Sequence, residues 1–245
     1  MGVIRFRISV KEMVDFLRCP YLIINRRLGL PFAMSEDIIV GSLVHAGRFE
    51  LNGLKRKCAL GEEKPEWIES RIELALNRAR KSILLGAWTE ALERSMEIIE
   101  LEWEWERGLL ERLPIDEVYP VKMEYPVKFP PDIYGRVDGI LRRDGTLPPI
   151  EYKTWDKGFQ EIEEFQLLAY CAGLEFRFRN RVPCGVLQYS CPPKRIELEF
   201  CKESMDRILE VYLELLDFMR TGETSRPPSA GACEGCGYMT CEHRR

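Results

Sequence analysis

Apolar residues follow a helical period in the first half of the chain and a strand period in much of the second half. Up to residue 112 they recur at spacings of three and four, which is typical of amphipathic helices. Beyond Pro114 they alternate, which indicates strands. The pattern predicts helices over 9–29, 37–60, 62–112, 160–175 and 203–220, and strands over 118–129, 182–191 and 195–200.

Two of the predicted helices contain an expected interruption. Ser9 and Glu12 have the spacing of a capping box, which indicates a helix start at Ser9. A proline follows Cys19, so we expect the first helix to break there and to leave Cys19 at an exposed helix end. The third helical stretch is expected to form two long helices hinged near Gly86.

The segment 135–155 is predicted to be a β-hairpin. Two alternating runs flank Asp144-Gly145, and Asp-Gly favours a type I′ turn because both central residues need a positive φ. Counting outward from this turn places Asp138 opposite Glu151. Opposed Cβ atoms in an antiparallel pair are about 4.5–5.5 Å apart. Two carboxylates at that distance repel each other unless a divalent cation binds between them.

Lys153 adds a positive charge to this hairpin. It lies two residues after Glu151, on the same face of the strand, so the pattern fits a metal site with an ammonium group beside it. Pro148 and Pro149 weaken the predicted register, because proline cannot donate to the ladder and marks an edge or a bulge. The alternative is a surface hairpin with an ordinary Glu–Lys pair, and the hairpin alone leaves both interpretations open.

Two helices carry further candidate site residues. His45, one of two histidines in the chain, lies among small residues in GSLVHAG, which indicates close packing on that surface. A single helical histidine is more often a satisfied core or surface residue than a ligand, so its role stays open. Gln166 and Tyr170 are four residues apart and therefore share one face of the helix over 160–175.

Composition sets limits on the class of protein. With 245 residues, the chain suits one domain or one core with an accessory lobe. The net charge of −4 provides no overall basic field, and local basic clusters such as Arg177, Arg179 and Arg181 are more often solvated faces than phosphate tracks.

No apolar run approaches the roughly 20 residues of a membrane span, and no signal-peptide pattern is seen. We therefore expect a cytoplasmic protein without a membrane partner.

The cysteines point to a second metal site. The chain has nine, an odd number, and the reducing cytoplasm disfavours disulfides. Cys233, Cys236 and Cys241 lie close together in a tail rich in Gly, Pro and Ser, which is a metal-binding pattern one ligand short. An upstream cysteine must complete the set; the candidates are Cys19, Cys58, Cys171, Cys184, Cys191 and Cys201. Cys171 and Cys19 could each instead be small buried hydrophobes.

Taken in order, these motifs resemble a known family. The helical His45, the hairpin Asp138, the Glu-x-Lys strand and the Gln-x-x-x-Tyr helix are similar to the RecB-type branch of the PD-(D/E)xK nuclease superfamily. With Cys19 in LRCPY and the three tail cysteines, the chain resembles the CRISPR-associated RecB-like exonucleases that carry an iron–sulfur cluster. The resemblance covers residues 9–241.

The resemblance implies an α/β fold with a restriction-endonuclease-like core. A mixed central sheet would be flanked by helices, with a helical lobe at the N-terminal side. The implied division is a helical lobe over 1–112 that carries His45 and the first cluster cysteine, a nuclease core over 113–220, and a cysteine-rich iron–sulfur segment over 221–245.

The resemblance also implies a role for each site residue. Mn²⁺ or Mg²⁺ would be bound by His45, Asp138, Glu151 and the carbonyl of Tyr152. Lys153 would orient or help deprotonate the attacking water, while Gln166 and Tyr170 would position Lys153 or the DNA backbone. A [4Fe-4S] cluster would be bound by Cys19, Cys233, Cys236 and Cys241. The spacing between the last two is one residue shorter than the family's usual spacing, so [2Fe-2S] stays open.

The implied activity is that of a metal-dependent exodeoxyribonuclease. It would degrade single-stranded DNA, or single-stranded ends, from 5′ to 3′ and would trim foreign DNA fragments before their integration as CRISPR spacers, with the integrase subunits as partners. One alternative is a RecB-like repair or recombination nuclease that acts beside a helicase; the absence of a phosphate-binding motor loop shows only that this chain supplies no motor of its own. The other is a module that binds DNA without cutting it, although the intact Asp138, Glu151 and Lys153 argue against this.

Overall fold

The computed structural model describes residues 7–80, 88–158, 160–233, 236–238 and 241. Its helices are α1 (Val10–Arg18), α2 (Tyr21–Arg27), α3 (Glu36–Ala59), α4 (Glu66–Arg80), α5 (Trp88–Leu109), α6 (Ile115–Val118), α7 (Gln160–Phe178) and α8 (Lys202–Thr221). Its strands are β1 (Ile8–Ser9), β2 (Lys122–Phe129), β3 (Ile133–Ile140), β4 (Pro149–Trp155), β5 (Cys184–Cys191) and β6 (Pro193–Glu199).

The six strands form one mixed sheet. Its order is β1-β3-β4-β5-β6, and β2 pairs with β3. The pairs β1–β3 and β4–β5 are parallel, and the others are antiparallel. Since β2 occupies one edge of β3 along its length, β1 and β4 share the other edge: β1 pairs at Ile133 and Tyr134, and β4 pairs at Gly139 and Ile140. The sheet therefore opens beside β3 just before Gly139.

The predicted hairpin turn and register are confirmed. Asp144 and Gly145 have φ values of 46° and 77°, as a type I′ turn requires. Gly139 pairs with Ile150 in the counted register. The ladder ends there, one position before the two acids, because Asp138 Oδ2 accepts the backbone N–H of Tyr152 at 2.9 Å.

The hydrophobic side chains form two main clusters. One lies between the sheet and helices α1, α7 and α8, and includes the fully buried Phe16, Ile133 and Ile208. The other lies among α3, α4 and α5, and includes the fully buried Leu43 and Ile72. None of the helices that the structure describes is both long and apolar enough to span a bilayer.

The expected helix break at the first cysteine is present, but its predicted exposure is wrong. The capping box forms, with Glu12 N–H donating to Ser9 Oγ at 3.1 Å, and α1 ends at Arg18 with Cys19 as its C-cap. Cys19 is only 8% exposed, because residues from the C-terminal segment cover it. Ser229 donates its N–H to the carbonyl of Arg18 at 2.9 Å, and its hydroxyl to the carbonyl of Leu17 at 3.0 Å.

Two further expectations concern the middle of the chain. The strand predicted from residue 118 begins later, at Lys122, because Ile115–Val118 form a helical turn after Pro114. The hinge expected at Gly86 lies outside the described residues, although two helices do flank that position. Cys171 is fully buried in the core, as expected.

Candidate active site

Three side chains from three elements meet at the opening in the sheet. His45 on α3 lies with Nε2 2.6 Å from Glu124 Oε1, and with Nδ1 3.9 Å from Asp138 Oδ1. One potential ligand atom from each residue lies within 4.8 Å of the other two. No other group of three His, Cys, Asp or Glu side chains is this close among the described residues. An imidazole and two carboxylates suit a first-row divalent cation, and all three side chains are only half-buried.

Glu124 was not predicted as a site residue. Its neighbours Met123 and Tyr125 pair with Gly139 and Val137, so Glu124 lies opposite Asp138. Its φ of 52° is unusual for a strand residue other than glycine. The sequence did contain a signal for this position. Pro130-Pro131 forms a turn between two alternating runs, and from it the pairing of β2 with β3 could have been predicted.

Glu151 lies behind this group and is almost fully buried, at 4% exposure. Its Oε1 accepts hydrogen bonds from Gln166 Nε2 at 2.6 Å and from Lys153 Nζ at 3.2 Å. Its Oε2 is buried and has no partner among the described residues. Burial, together with the negative charge of Asp138, raises the pKa of Glu151 to about 8. An orphaned buried carboxylate oxygen beside other acids fits a ligand position for a cation.

Lys153 and Gln166 form a single hydrogen-bonded unit with Glu151. Gln166 Oε1 accepts from Lys153 Nζ at 2.8 Å, and its Nε2 donates to Glu151 and, at 3.4 Å, to the hydroxyl of Tyr170. Burial alone would lower the pKa of Lys153, but the nearby carboxylates of Glu151 and Asp138 raise it above its usual value. Lys153 is therefore a fixed ammonium group at the edge of the acidic site.

Tyr152 contacts both the site and helix α3. Its backbone N–H contacts Asp138, and its buried ring lies under the guanidinium of Arg48, 4.9 Å from the ring centroid. Of the expected metal ligands, the close group contains His45 and Asp138, to which the structure adds Glu124. Glu151 lies outside that group, in a hydrogen-bonded unit with Lys153, Gln166 and Tyr170. The metal-ligand role of the Tyr152 carbonyl stays a prediction.

Three of the four candidate cluster cysteines, Cys19, Cys233 and Cys241, lie near one another. Burial raises the pKa of Cys19, against hydrogen bonds from the backbone N–H groups of Tyr21 and Leu22, and nearby Cys241 and Cys233 raise it further. Gly237 accepts the N–H of Ala33 at 2.9 Å, which holds the tail against the loop after α2. No three sulfurs among the described cysteines lie within 4.8 Å of one another.

Cys236 stays close to this group through the chain itself. Its N–H donates to the carbonyl of Cys233 at 3.3 Å. All nine cysteines of the chain are free thiols in the structure. The tail sulfurs are therefore available as ligands, and those of Cys233 and Cys241 lie near Cys19.

The fold and the site define a class of protein. A mixed sheet with flanking helices presents two acids and a lysine beside a third acid and a histidine, which is a suitable site for metal-assisted hydrolysis of a phosphodiester. The family model of the PD-(D/E)XK nuclease superfamily matches residues 7–241, and the chain belongs to that superfamily. The expected fold class is confirmed.

Other comparisons add little. A solved structure described as "Crystal structure of SSO0001" is similar over 100% of this chain and 90% of that chain, with 15% sequence identity and a TM-score of 0.47. No curated protein matches the chain.

Proposed function

We propose that the protein is a metal-dependent exodeoxyribonuclease that degrades single-stranded DNA, or single-stranded ends, from 5′ to 3′. Membership of the superfamily makes it a nuclease that hydrolyses phosphodiester bonds. The observation that carries the proposal is the half-exposed group of His45, Glu124 and Asp138 beside the orphaned oxygen of Glu151. The proposed DNA substrate, 5′-to-3′ polarity and exonuclease mode are based on the resemblance of the motifs.

The proposed roles follow the contacts. His45, Asp138, Glu151 and the Tyr152 carbonyl hold a divalent cation, and Glu124 joins them. When bound, the cation lowers the pKa of water and offsets charge on the phosphate. Gln166 holds Lys153 and Glu151 in fixed positions through its two amide atoms. Lys153 is then placed to orient the attacking water, and Tyr170 limits the movement of Gln166.

The proposed cation is Mn²⁺ in preference to Mg²⁺. Mg²⁺ favours an octahedron of oxygen ligands, whereas imidazole is a better ligand for Mn²⁺ than for Mg²⁺. His45 lies within hydrogen-bonding distance of Glu124 and cannot leave the group without breaking that contact. A ligand set with one imidazole nitrogen therefore supports higher activity with Mn²⁺.

A 5′-labelled single strand, incubated with the protein and each metal, tests the proposed activity. We expect short 5′-terminal products with Mn²⁺, slower release with Mg²⁺ and none with EDTA. A 3′-labelled strand should instead shorten progressively, because degradation begins at the other end. Release of the same products in EDTA would refute metal dependence, and binding without cleavage in every metal would identify a non-cleaving module instead.

We further propose that Cys19, Cys233, Cys236 and Cys241 bind a [4Fe-4S] cluster, with [2Fe-2S] as the alternative. The close approach of the tail to Cys19 and the backbone N–H groups directed at its sulfur support this set. Zinc usually takes two close pairs of ligands, which one distant cysteine and three clustered ones fit less well. The cluster would join the two ends of the described chain and stabilise the fold.

Replacing Cys233 by serine should remove the cluster. We expect the wild-type protein, purified without oxygen, to be brown and to contain about four irons per chain, and the Cys233→Ser variant to be nearly colourless. Cys201→Ser is the matched control, since Cys201 is exposed at the start of α8, where serine is a favoured N-cap. A colourless wild-type protein with stoichiometric zinc would contradict the assignment.

The biological part of the proposal is the trimming of DNA fragments before their integration as CRISPR spacers, in the cytoplasm and together with the integrase subunits. The order of the nuclease and cysteine motifs supports it. Co-purification of the protein with an integrase subunit expressed beside it, and shortening of unprocessed fragments only when both are present, would test this role.

A further inference from the structure

A large cleft lies beside the active site and has a charge opposite to that of the whole chain. It has a volume of about 1600 Å³ and runs between the start of α1, the β2–β3 hairpin and the C-terminal end of α7. Seven arginines and lysines line it, against two acids, Asp132 and Glu175. The chain as a whole carries a net charge of −4. Positive charge is therefore concentrated in this cleft.

Both acids of the cleft already have partners. Asp132 lies 3.4 Å from Lys128, and Glu175 accepts the backbone N–H of Val182 at 3.0 Å. In contrast, Arg177, Arg179 and Arg181 are exposed, and none forms an ion pair with any residue that the structure describes. Three exposed and uncompensated guanidinium groups along one wall fit the phosphates of a nucleic-acid backbone.

The cleft borders the candidate active site. Arg136, which lines it, lies 3.4 Å from Glu124 through Nη1. Tyr170, also in its wall, contacts Gln166 at 3.4 Å. Two residues of the cleft wall are therefore in direct contact with residues of the candidate active site, and a DNA strand bound in the cleft would lie next to the metal-binding group.

Aromatic side chains in the cleft indicate which form of nucleic acid it binds. Phe176 is 56% exposed and Tyr134 is 38% exposed, although both are large apolar groups. Arg7 lies over the ring of Tyr134 at 5.1 Å, so this wall already has a stack of flat groups. Aromatic side chains stack on bases, and the bases of a single strand are free to stack whereas those of a duplex are not.

We propose that this cleft binds one DNA strand, with its phosphates on Arg177, Arg179 and Arg181 and its bases on Phe176 and Tyr134, and guides it to the metal-binding group. The proposal rests on the proposed nuclease function, and it names the surface that selects a single-stranded substrate.

Binding of a fluorescent oligothymidine in EDTA, measured by anisotropy across salt concentrations, tests the cleft without cleavage. Replacing the three arginines by alanine should weaken binding at low salt at least about tenfold and reduce the slope of log affinity against log salt by about 2, since each phosphate contact on a single strand contributes about 0.7. The control Lys64→Ala/Arg112→Ala/Arg220→Ala removes three exposed charges outside the cleft and should bind like wild type.

A second variant separates stacking from charge. Phe176→Ala should weaken binding severalfold and leave the salt slope unchanged, because no phosphate contact is lost. Equal binding by the arginine variant and its control would overturn the proposal, as would tighter binding of a duplex than of the single strand. If wild type cleaves DNA and the arginine variant binds normally, the cleft proposal fails alone. If binding depends on the arginines and no metal supports cleavage, the proposed function fails alone.

Discussion

Asparagine in place of Asp138 is expected to slow DNA cleavage at least about a hundredfold. Asp138 belongs to the His45–Glu124–Asp138 group, and a ligand carboxylate that is lost removes several kcal/mol of charge stabilisation in the transition state. About 3 kcal/mol corresponds to a hundredfold change in rate. The asparagine carbonyl can still accept the N–H of Tyr152, so the fold should be retained.

The comparison needs both a rate and a binding measurement. Cleavage of labelled single-stranded DNA gives the rate, and calorimetric titration with Mn²⁺ gives the affinity, which should fall in parallel. Asp144→Asn is the matched control: it makes the same chemical change at an exposed turn residue with positive φ, where asparagine is well tolerated. If Asp138→Asn cleaved DNA at the wild-type rate, the acidic group would have no role in the mechanism.

The hairpin could be predicted because its geometry is local. An Asp-Gly turn fixes the backbone of two residues, and the register of both strands follows by counting from that turn. The proximity of Gln166 to Tyr170 could be predicted equally well, since the helical period alone places them on one face. The proximity of Asp138 to Glu151 and its consequence for the pKa of Glu151 could therefore be anticipated from a few residues.

Two features could not be predicted in the same way. Glu124 reaches the site through the β2–β3 hairpin, in which it lies opposite Asp138, but the Pro130-Pro131 turn does not define a register as Asp-Gly does. The predicted exposure of Cys19 was wrong for a different reason, because its cover comes from Ser229, far along the chain. The period of apolar residues shows that a side chain is on one face of an element, but not which distant segment packs on that face.

A buried polar network illustrates this limit most clearly. In sequence, Glu102 and Glu106 alternate with tryptophans in LEWEWER on a long helix, and nothing in that pattern distinguishes these two acids as buried. In the structure both are only 1% exposed. Glu102 Oε2 lies 2.7 Å from Arg48 Nε and accepts the hydroxyl of Ser190 at 2.5 Å, while Glu106 pairs with Lys55 at 2.8 Å. Helices α3 and α5 are thus joined to β5 through charges removed from water.

The protonation states of the two acids differ. Burial would raise the pKa of Glu102, but Arg48, Lys55 and the hydroxyl of Ser190 outweigh it and lower that pKa below its usual value. Burial raises the pKa of Glu106 to about 7, and Lys55 offsets this only in part. Glu102 is therefore the carboxylate whose negative charge compensates the buried guanidinium.

Replacing Glu102 by alanine should lower the free energy of unfolding by about 3–5 kcal/mol, the usual cost of leaving the partner of a buried ion pair uncompensated. Arg48 is 4% exposed and cannot regain water without moving its helix. Its guanidinium also lies over the ring of Tyr152, so its displacement would disturb strand β4. The measurement is the midpoint and slope of urea denaturation of wild type and variant.

Two further variants distinguish loss of the ion pair from loss of a side chain. Glu104→Ala removes an exposed acid from the same helix and should change stability by less than about 0.5 kcal/mol. The double variant Arg48→Met/Glu102→Leu should recover most of the loss, because apolar side chains often replace a buried pair at little cost. If Glu102→Ala were no less stable than Glu104→Ala, another group would compensate the positive charge of the Arg48 guanidinium. If the double variant were less stable than Glu102→Ala, the contacts of Arg48 with Ser190 and Tyr152, rather than its pairing with Glu102, would hold α3 against the sheet.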